Sequence, residues 1–163
     1  MKSRTGILTL LIAVTPLTSF AHKGRHKKQE DPPSIAQKIK KSFDEINEGY
    51  LKDIKPIFVK KCFDCHSSQT VFPWYYKIPG VQQWIQDDIE EAKEHLDMDS
   101  NFPFKSHATP IEDLEEIDET IRNGEMPPYA YRLIHSGSAL SPEEREAVHR
   151  WVEHGKELLK EQK

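Results

Sequence analysis

Cysteine is scarce. Two in 163 residues are too few for a disulfide-dense small protein or a four-cysteine zinc site. Long apolar runs are missing as well. None reaches the roughly 20 residues of a spanning helix, which excludes a polytopic membrane protein. No heptad is sustained, so a coiled coil is excluded. Positive charge is not in excess: 23 Lys and Arg stand against 27 Asp and Glu, a net −4, which disfavours a nucleic-acid partner. No convincing strand run, internal repeat or low-complexity segment is present. What remains is a polar chain, 36% apolar and 31% charged. Its 3 Trp, 5 Tyr and 7 Phe argue against disorder throughout. The length fits one domain, or one domain with a tail.

Residues 1–21 read as a secretory signal. Lys2 and Arg4 form the charged start, Ile7 to Leu17 a short apolar core, and Ser19-Phe20-Ala21 a cleavage site. The competing reading is an uncleaved anchor, which the shortness of the core disfavours. No cysteine follows the cut, so a lipoprotein is not indicated. The expected location is the periplasm or outside the cell, with no integral membrane segment after cleavage. Loss of Lys2 and Arg4 takes the basic residues from 23 to 21 against 27 acidic ones, a net −6. Residues 22–33 then form a basic, proline-ended tail, read as solvated and disordered.

From residue 34 onwards the chain reads as an all-α domain, 34–163, of helices joined by proline-rich loops. Ser34 caps a first helix running towards Glu48, with Ile35, Ile39, Phe43 and Ile46 on one stripe. Gly49 is a candidate interruption. A second helix spans Tyr50 to Lys61, with Leu51, Ile54, Phe58 and Val59 inward and Pro56 kinking it. Residues 67–79 read as a loop of buried aromatics. Val81, Trp84, Ile85, Ile89, Ala92 and Leu96 recur at helical spacing. Asp97 to Ala108 reads as loop. Thr109-Pro110-Ile111-Glu112 and Ser141-Pro142-Glu143-Glu144 are helix starts with capping boxes. Gly124 ends the first of these two helices. Trp151 on the second is expected to pack against the Tyr50–Lys61 helix.

Cys62-Phe63-Asp64-Cys65-His66 is C-x-x-C-H, the attachment signature of c-type haem. Two thiols so spaced at a helix end each reach one vinyl group of the same porphyrin, and the next residue turns its imidazole to the iron. Zinc and thioredoxin-like sites share part of the pattern. The apparent export, the lack of further cysteines and the helical surroundings favour haem, since a thioredoxin motif expects a βαβ setting. The readings that remain are one covalent haem c on Cys62 and Cys65 with His66 as an iron ligand, or a disulfide or redox pair.

Met126 is the candidate for the second axial ligand. It follows Gly124 and precedes Pro127 and Pro128, on a turn with little entropy left to lose. A thioether ligand raises the reduction potential, as in cytochromes c. Met98, between Asp97 and Asp99, is expected to be exposed. His95, His107, His135, His149 and His154 read as surface or hydrogen-bonding side chains. Trp74, Tyr75, Tyr76 and Trp84 are candidates to wall the porphyrin or bond a propionate, with Ile78 and Pro79 lining the proximal side. The acid pairs Glu90-Glu91 and Glu115-Glu116 have no basic or nucleophilic partner at useful spacing and read as solvated faces.

With these motifs together, the chain resembles the bacterial haem-binding domain family of small c-type cytochromes. The matching residues are Cys62 to His66, the Pro73-Trp74-Tyr75-Tyr76 run to Pro79, Gly124 to Pro128, and Leu140 to Arg145 leading to Trp151. The resemblance implies a cytochrome c-like helical fold around a covalent haem, with an extra N-terminal helix. It also implies thioether bonds at Cys62 and Cys65 and His66 and Met126 as axial ligands. The expected function is electron transfer with an unnamed redox partner protein and no catalytic residues. The alternative is a haem enzyme or gas sensor with an open or displaceable distal site.

Overall fold

The computed structural model describes residues 33–161. The expected signal and all but the last residue of the expected tail lie outside them. These residues form one compact unit made of helices, with a single two-residue strand pair.

Helix α1, Ile35–Gly49, starts at a complete capping box between Ser34 and Gln37. Only the end of its stripe is buried. Ile46 is in the core, whereas Ile35 and Ile39 are exposed, because no other element covers the first turns. Gly49 does not interrupt the helix. A Cβ there would stand 3.3 Å from Trp151 Cδ1, so the glycine lets the indole approach the backbone. The chain continues through a π turn, Tyr50–Ile54, into α2, Lys55–Lys61. Pro56 falls in the first turn of α2, where its missing N–H leaves no bond unmade. Ile54 and Phe58 are buried, but Leu51 and Val59 are exposed, so only half of the expected inward set points in.

Helix α3, Phe63–His66, carries most of the C-x-x-C-H motif. A 3₁₀ turn covers Trp74–Lys77, and α4 spans Val81–His95. Strands β1, Leu96–Asp97, and β2, Lys105–Ser106, pair antiparallel. They are too short to leave a period-two signature in the sequence. The segment between them is not a surface loop, since Met98, Phe102 and Phe104 are buried. Helix α5, Pro110–Arg122, and α7, Pro142–Lys160, both begin at the expected capping boxes. Between them lies α6, Tyr129–Ile134, a short helix without a start signal in the sequence.

The core is an aromatic cluster between α1, α2 and α7. Tyr50 meets Phe104 edge-on at 5.1 Å, and Trp151 meets Phe102 at 5.8 Å and Phe58 at 6.3 Å. Leu114, Val148 and Val152 join α5 to α7. At Gly155 of α7 a Cβ would lie 2.9 Å from Leu114 Cδ1 and 3.5 Å from Ile46 Cγ2. Leu114 is fully buried and has nowhere to move. Gly155→Val is therefore expected to destabilise the fold by about 1–3 kcal/mol through overpacking, read as a lower urea midpoint at unchanged slope.

Candidate functional site

The C-x-x-C-H segment opens onto a cavity of about 700 Å³, within the roughly 300–1,000 Å³ of cofactor pockets. Cys62, Cys65 and His66 lie on its wall. Helical hydrogen bonds from Cys65 and His66 N–H to the Cys62 carbonyl, at 3.1 and 3.0 Å, keep the three side chains in one turn. The cysteines form no disulfide. Burial, with Cys65 adding to it, pushes the Cys62 thiol up to about 12. Burial, then the charge of Asp64, pushes Cys65 up to about 11. Reactive dithiols and metal-binding thiolates need the opposite shift, so these surroundings suit sulfur that is neutral.

His66 is oriented by β1. Its Nδ1 donates to the Leu96 carbonyl at 2.9 Å, and its own carbonyl accepts from Met98 N–H at 2.7 Å. Burial lowers the imidazole's affinity for a proton. A neutral ring whose Nδ1–H is engaged leaves the Nε2 lone pair free for a metal.

A second part of the wall comes from α5 and the turn after it. Ile117, Thr120 and Ile121 line the cavity, followed by Glu125, Met126, Pro127 and Pro128. Gly124 takes φ +74°, the left-handed conformation that closes α5. Both Glu125 and Met126 N–H groups then return to the Thr120 carbonyl, at 2.9 and 3.2 Å. Met126 is 38% exposed, on the cavity wall with only part of its surface against protein.

The third wall is α4. Ile85, Ile89 and Ala92 run along it at helical spacing, Leu96 at the start of β1 continues the stripe, and all four line the cavity. Yet α4 buries no residue. An apolar stripe that protein covers only in part and that borders an apolar cavity is a surface a flat hydrophobic group would cover further. Two thiols, one free imidazole nitrogen, a thioether and this stripe together fit a covalently held porphyrin.

The aromatic expectations divide. Tyr75 and Trp84 line the cavity. Trp74 is 80% exposed, and neither it nor Tyr76 is on the cavity wall; Tyr76 instead accepts from Gln86 Nε2 at 2.8 Å. The 67–79 stretch is thus not a buried-aromatic loop: its 3₁₀ turn leaves Trp74 outward and Tyr75 and Tyr76 only half-buried. Ile78 and Pro79 are also exposed and away from the wall. Met98 is only 4% exposed and lines the cavity, contrary to the expectation from its acidic neighbours. The β1–β2 pairing turns it inward while Asp97 and Asp99 pair with Lys93. The sequence reading missed Tyr131 and singled out His135 only as a surface or hydrogen-bonding side chain. Both reach the wall through α6. The spacing of Tyr131 and His135, four apart after a double proline, was the available signal.

A family model described as a haem-binding domain matches residues 17–154. The cytochrome c peroxidase Ccp of Escherichia coli (strain K12) is 27% identical over 153 residues, which is 90% of this chain and 30% of that protein. The chain therefore spans about a third of the length of this relative. No solved structure matches.

Proposed function

The chain belongs to the haem-binding domain family, and from that premise we propose that it is an exported monohaem c-type cytochrome that transfers electrons. The observation that carries this reading is convergence. Cys62, Cys65, His66 and Met126 meet on one apolar cavity, with His66 Nδ1 occupied and Nε2 available. The bound group would supply one-electron exchange at iron. Cys62 and Cys65 would hold it by thioethers, and His66 and Met126 would stand as the axial donors. Leu96 fixes the plane of the imidazole through its carbonyl. The stripe of α4 and the Ile117–Ile121 face of α5 keep water from the ring, which favours small reorganisation on electron exchange. Among the described residues no helix is long and apolar enough to cross a membrane.

A carrier is favoured over a peroxidase by the state of His135. Its Nδ1 donates to the Tyr131 carbonyl at 3.0 Å and its Nε2 accepts from Tyr75 O–H at 2.8 Å. With both nitrogens engaged, it is poorly placed to move a proton to or from a distal oxygen.

Met126→Ala tests the reading. The wild-type ferric holoprotein is expected to show the sulfur-to-iron charge-transfer absorption and to resist carbon monoxide when reduced. The variant should lose the band, bind carbon monoxide promptly and have a lower reduction potential. Prompt carbon monoxide binding by the wild type, with no change in the variant, would favour the enzyme or sensor instead.

A further inference from the structure

We propose that Asp64, through Tyr131, fastens the methionine-bearing turn to the C-x-x-C-H turn and so keeps the sixth coordination position filled. The inference rests on the haem reading above and adds a positioning pair to it.

Helix α6 follows Met126 almost directly and has six residues, far too few to be stable alone. It buries none of them, so apolar packing does not hold it in place. Specific bonds do. Tyr131 O–H donates to Asp64 Oδ2 at 2.6 Å, a hydrogen bond to a charged acceptor and hence one of the stronger kind. The other carboxylate oxygen, Oδ1, accepts from Val71 N–H at 3.0 Å, which fixes the acid's orientation. The Tyr131 ring lies on the His135 ring, with centroids 3.8 Å apart and planes 22° apart. His135 in turn receives Tyr75 O–H. At the near end, Arg132 Nη2 donates to the Gly124 carbonyl at 3.0 Å, tying α6 to the turn that presents Met126.

Asp64 stands between the two cysteines. Its bond to Tyr131 therefore joins the segment that carries His66 to the segment that carries Met126. Among the described residues no other α6 side chain makes a hydrogen bond or ion pair to residues 62–66. Without this link the turn would be referenced directly to α5, through the Thr120 carbonyl, and otherwise by way of α6 to Tyr75, through His135.

The test compares holoprotein from wild type, Tyr131→Phe, Asp64→Ala, Asp64→Asn and Met126→Ala at equal haem per chain. Three properties are read: the sulfur-to-iron absorption, the rate of carbon monoxide uptake by reduced protein, and amide hydrogen exchange across residues 124–134. Tyr131→Phe keeps the ring on His135 and removes only the donor. It and Asp64→Ala are expected to lose most of the absorption. Carbon monoxide uptake and exchange at 124–134 should each rise about tenfold or more, the scale of a lost hydrogen bond to a charged group. Asp64→Asn retains an acceptor for Val71 and offers an amide N–H to the phenol oxygen, so it should stay close to wild type. A residue that merely fills space would not give that rescue. Should Tyr131→Phe fail to accumulate, the Asn and Ala variants at position 64 still decide the matter. The proposal is overturned if Tyr131→Phe and Asp64→Ala match wild type in absorption and exchange while Met126→Ala loses the absorption. If Met126→Ala keeps the absorption, it is the ligand assignment that fails. The exchange of 124–134 then judges the tether alone, faster exchange upholding it and unchanged exchange refuting it.

Discussion

Replacing Cys62 and Cys65 together by alanine is expected to yield a colourless chain in which α4 exchanges its amide hydrogens freely while α1, α5 and α7 stay protected. The two halves of the molecule rest on different contacts. Helices α1, α5 and α7 bury Ile46, Leu114, Val148 and Val152 against one another. Helix α4 buries nothing. Its polar links are exposed, such as Gln86 to Tyr76 and Lys93 to Asp99, and exposed pairs are worth at most about 1 kcal/mol. A 15-residue helix is marginal without tertiary packing. Ile85, Ile89 and Leu96 are already half-buried by protein, so completing their cover is worth a fraction of the about 1.5–3 kcal/mol of a side chain fully removed from water, and a haem held on Cys62 and Cys65 would supply that surface. Far-UV circular dichroism should fall by roughly the share of α4, with the loss mapped by hydrogen exchange. If α4 remained as protected in the colourless chain as in the haem-loaded one, the cavity would not have been shaped around a bound group.

The same division explains what could be read from the residues. Helix ends were legible where a side chain closes its own cap, as Thr109 does with Glu112 and Ser141 with Glu144. The C-x-x-C-H turn stood out as a candidate because its chemistry is local, two thiols and an imidazole within five residues, and the structure places all three on the cavity wall. Trp151 was assigned correctly to the interface with the Tyr50–Lys61 stretch, since a tryptophan on a helical stripe has few alternatives. Burial set by distant partners was not legible. Met98 turns inward because β1 pairs with β2 and Lys93 takes up the acidic neighbours, pairings that the spacing of the residues does not reveal. Trp74 turns outward although Tyr75 beside it reaches the cavity, a distinction made by one 3₁₀ turn. The π turn at Tyr50 was hidden for a similar reason. A proline six residues on predicts a kink, but the chain stays helical by widening one turn, with Lys55 N–H returning to the Tyr50 carbonyl. The cavity-lining stripe of α4 has the periodicity of any core-facing helix. Only the structure separates a face covered by protein from one that borders a cavity.

Trp151→Ala is expected to cost about 3–5 kcal/mol, the range for removing a large aromatic from a core. That is a large part of the roughly 5–15 kcal/mol that holds a domain together. Trp151 touches the rings of Tyr50, Phe58, Phe102 and Phe104, so the void would open where three segments meet. Its Nε1 also donates to the Ile46 carbonyl at 3.0 Å, and Gly49 leaves room for the ring. Trp151→Phe separates the two contributions. It keeps much of the aromatic volume and loses the donor, and since the Ile46 carbonyl still accepts from Tyr50 N–H the lost bond should cost only about 0.5–1.5 kcal/mol. Thermal melting of the three proteins checks the order, with the alanine variant lowest. The damage should not stay in the core. Phe58 lies on the cavity wall as well as against Trp151, and its carbonyl receives Cys62 N–H at 2.8 Å. Loosening Phe58 therefore frees the residue that starts the attachment turn, and haem per chain should fall along with the melting temperature. A Trp151→Ala variant that melted lower yet attached haem as fully as wild type would mean that the turn at Cys62 is held by α3 and β1 alone.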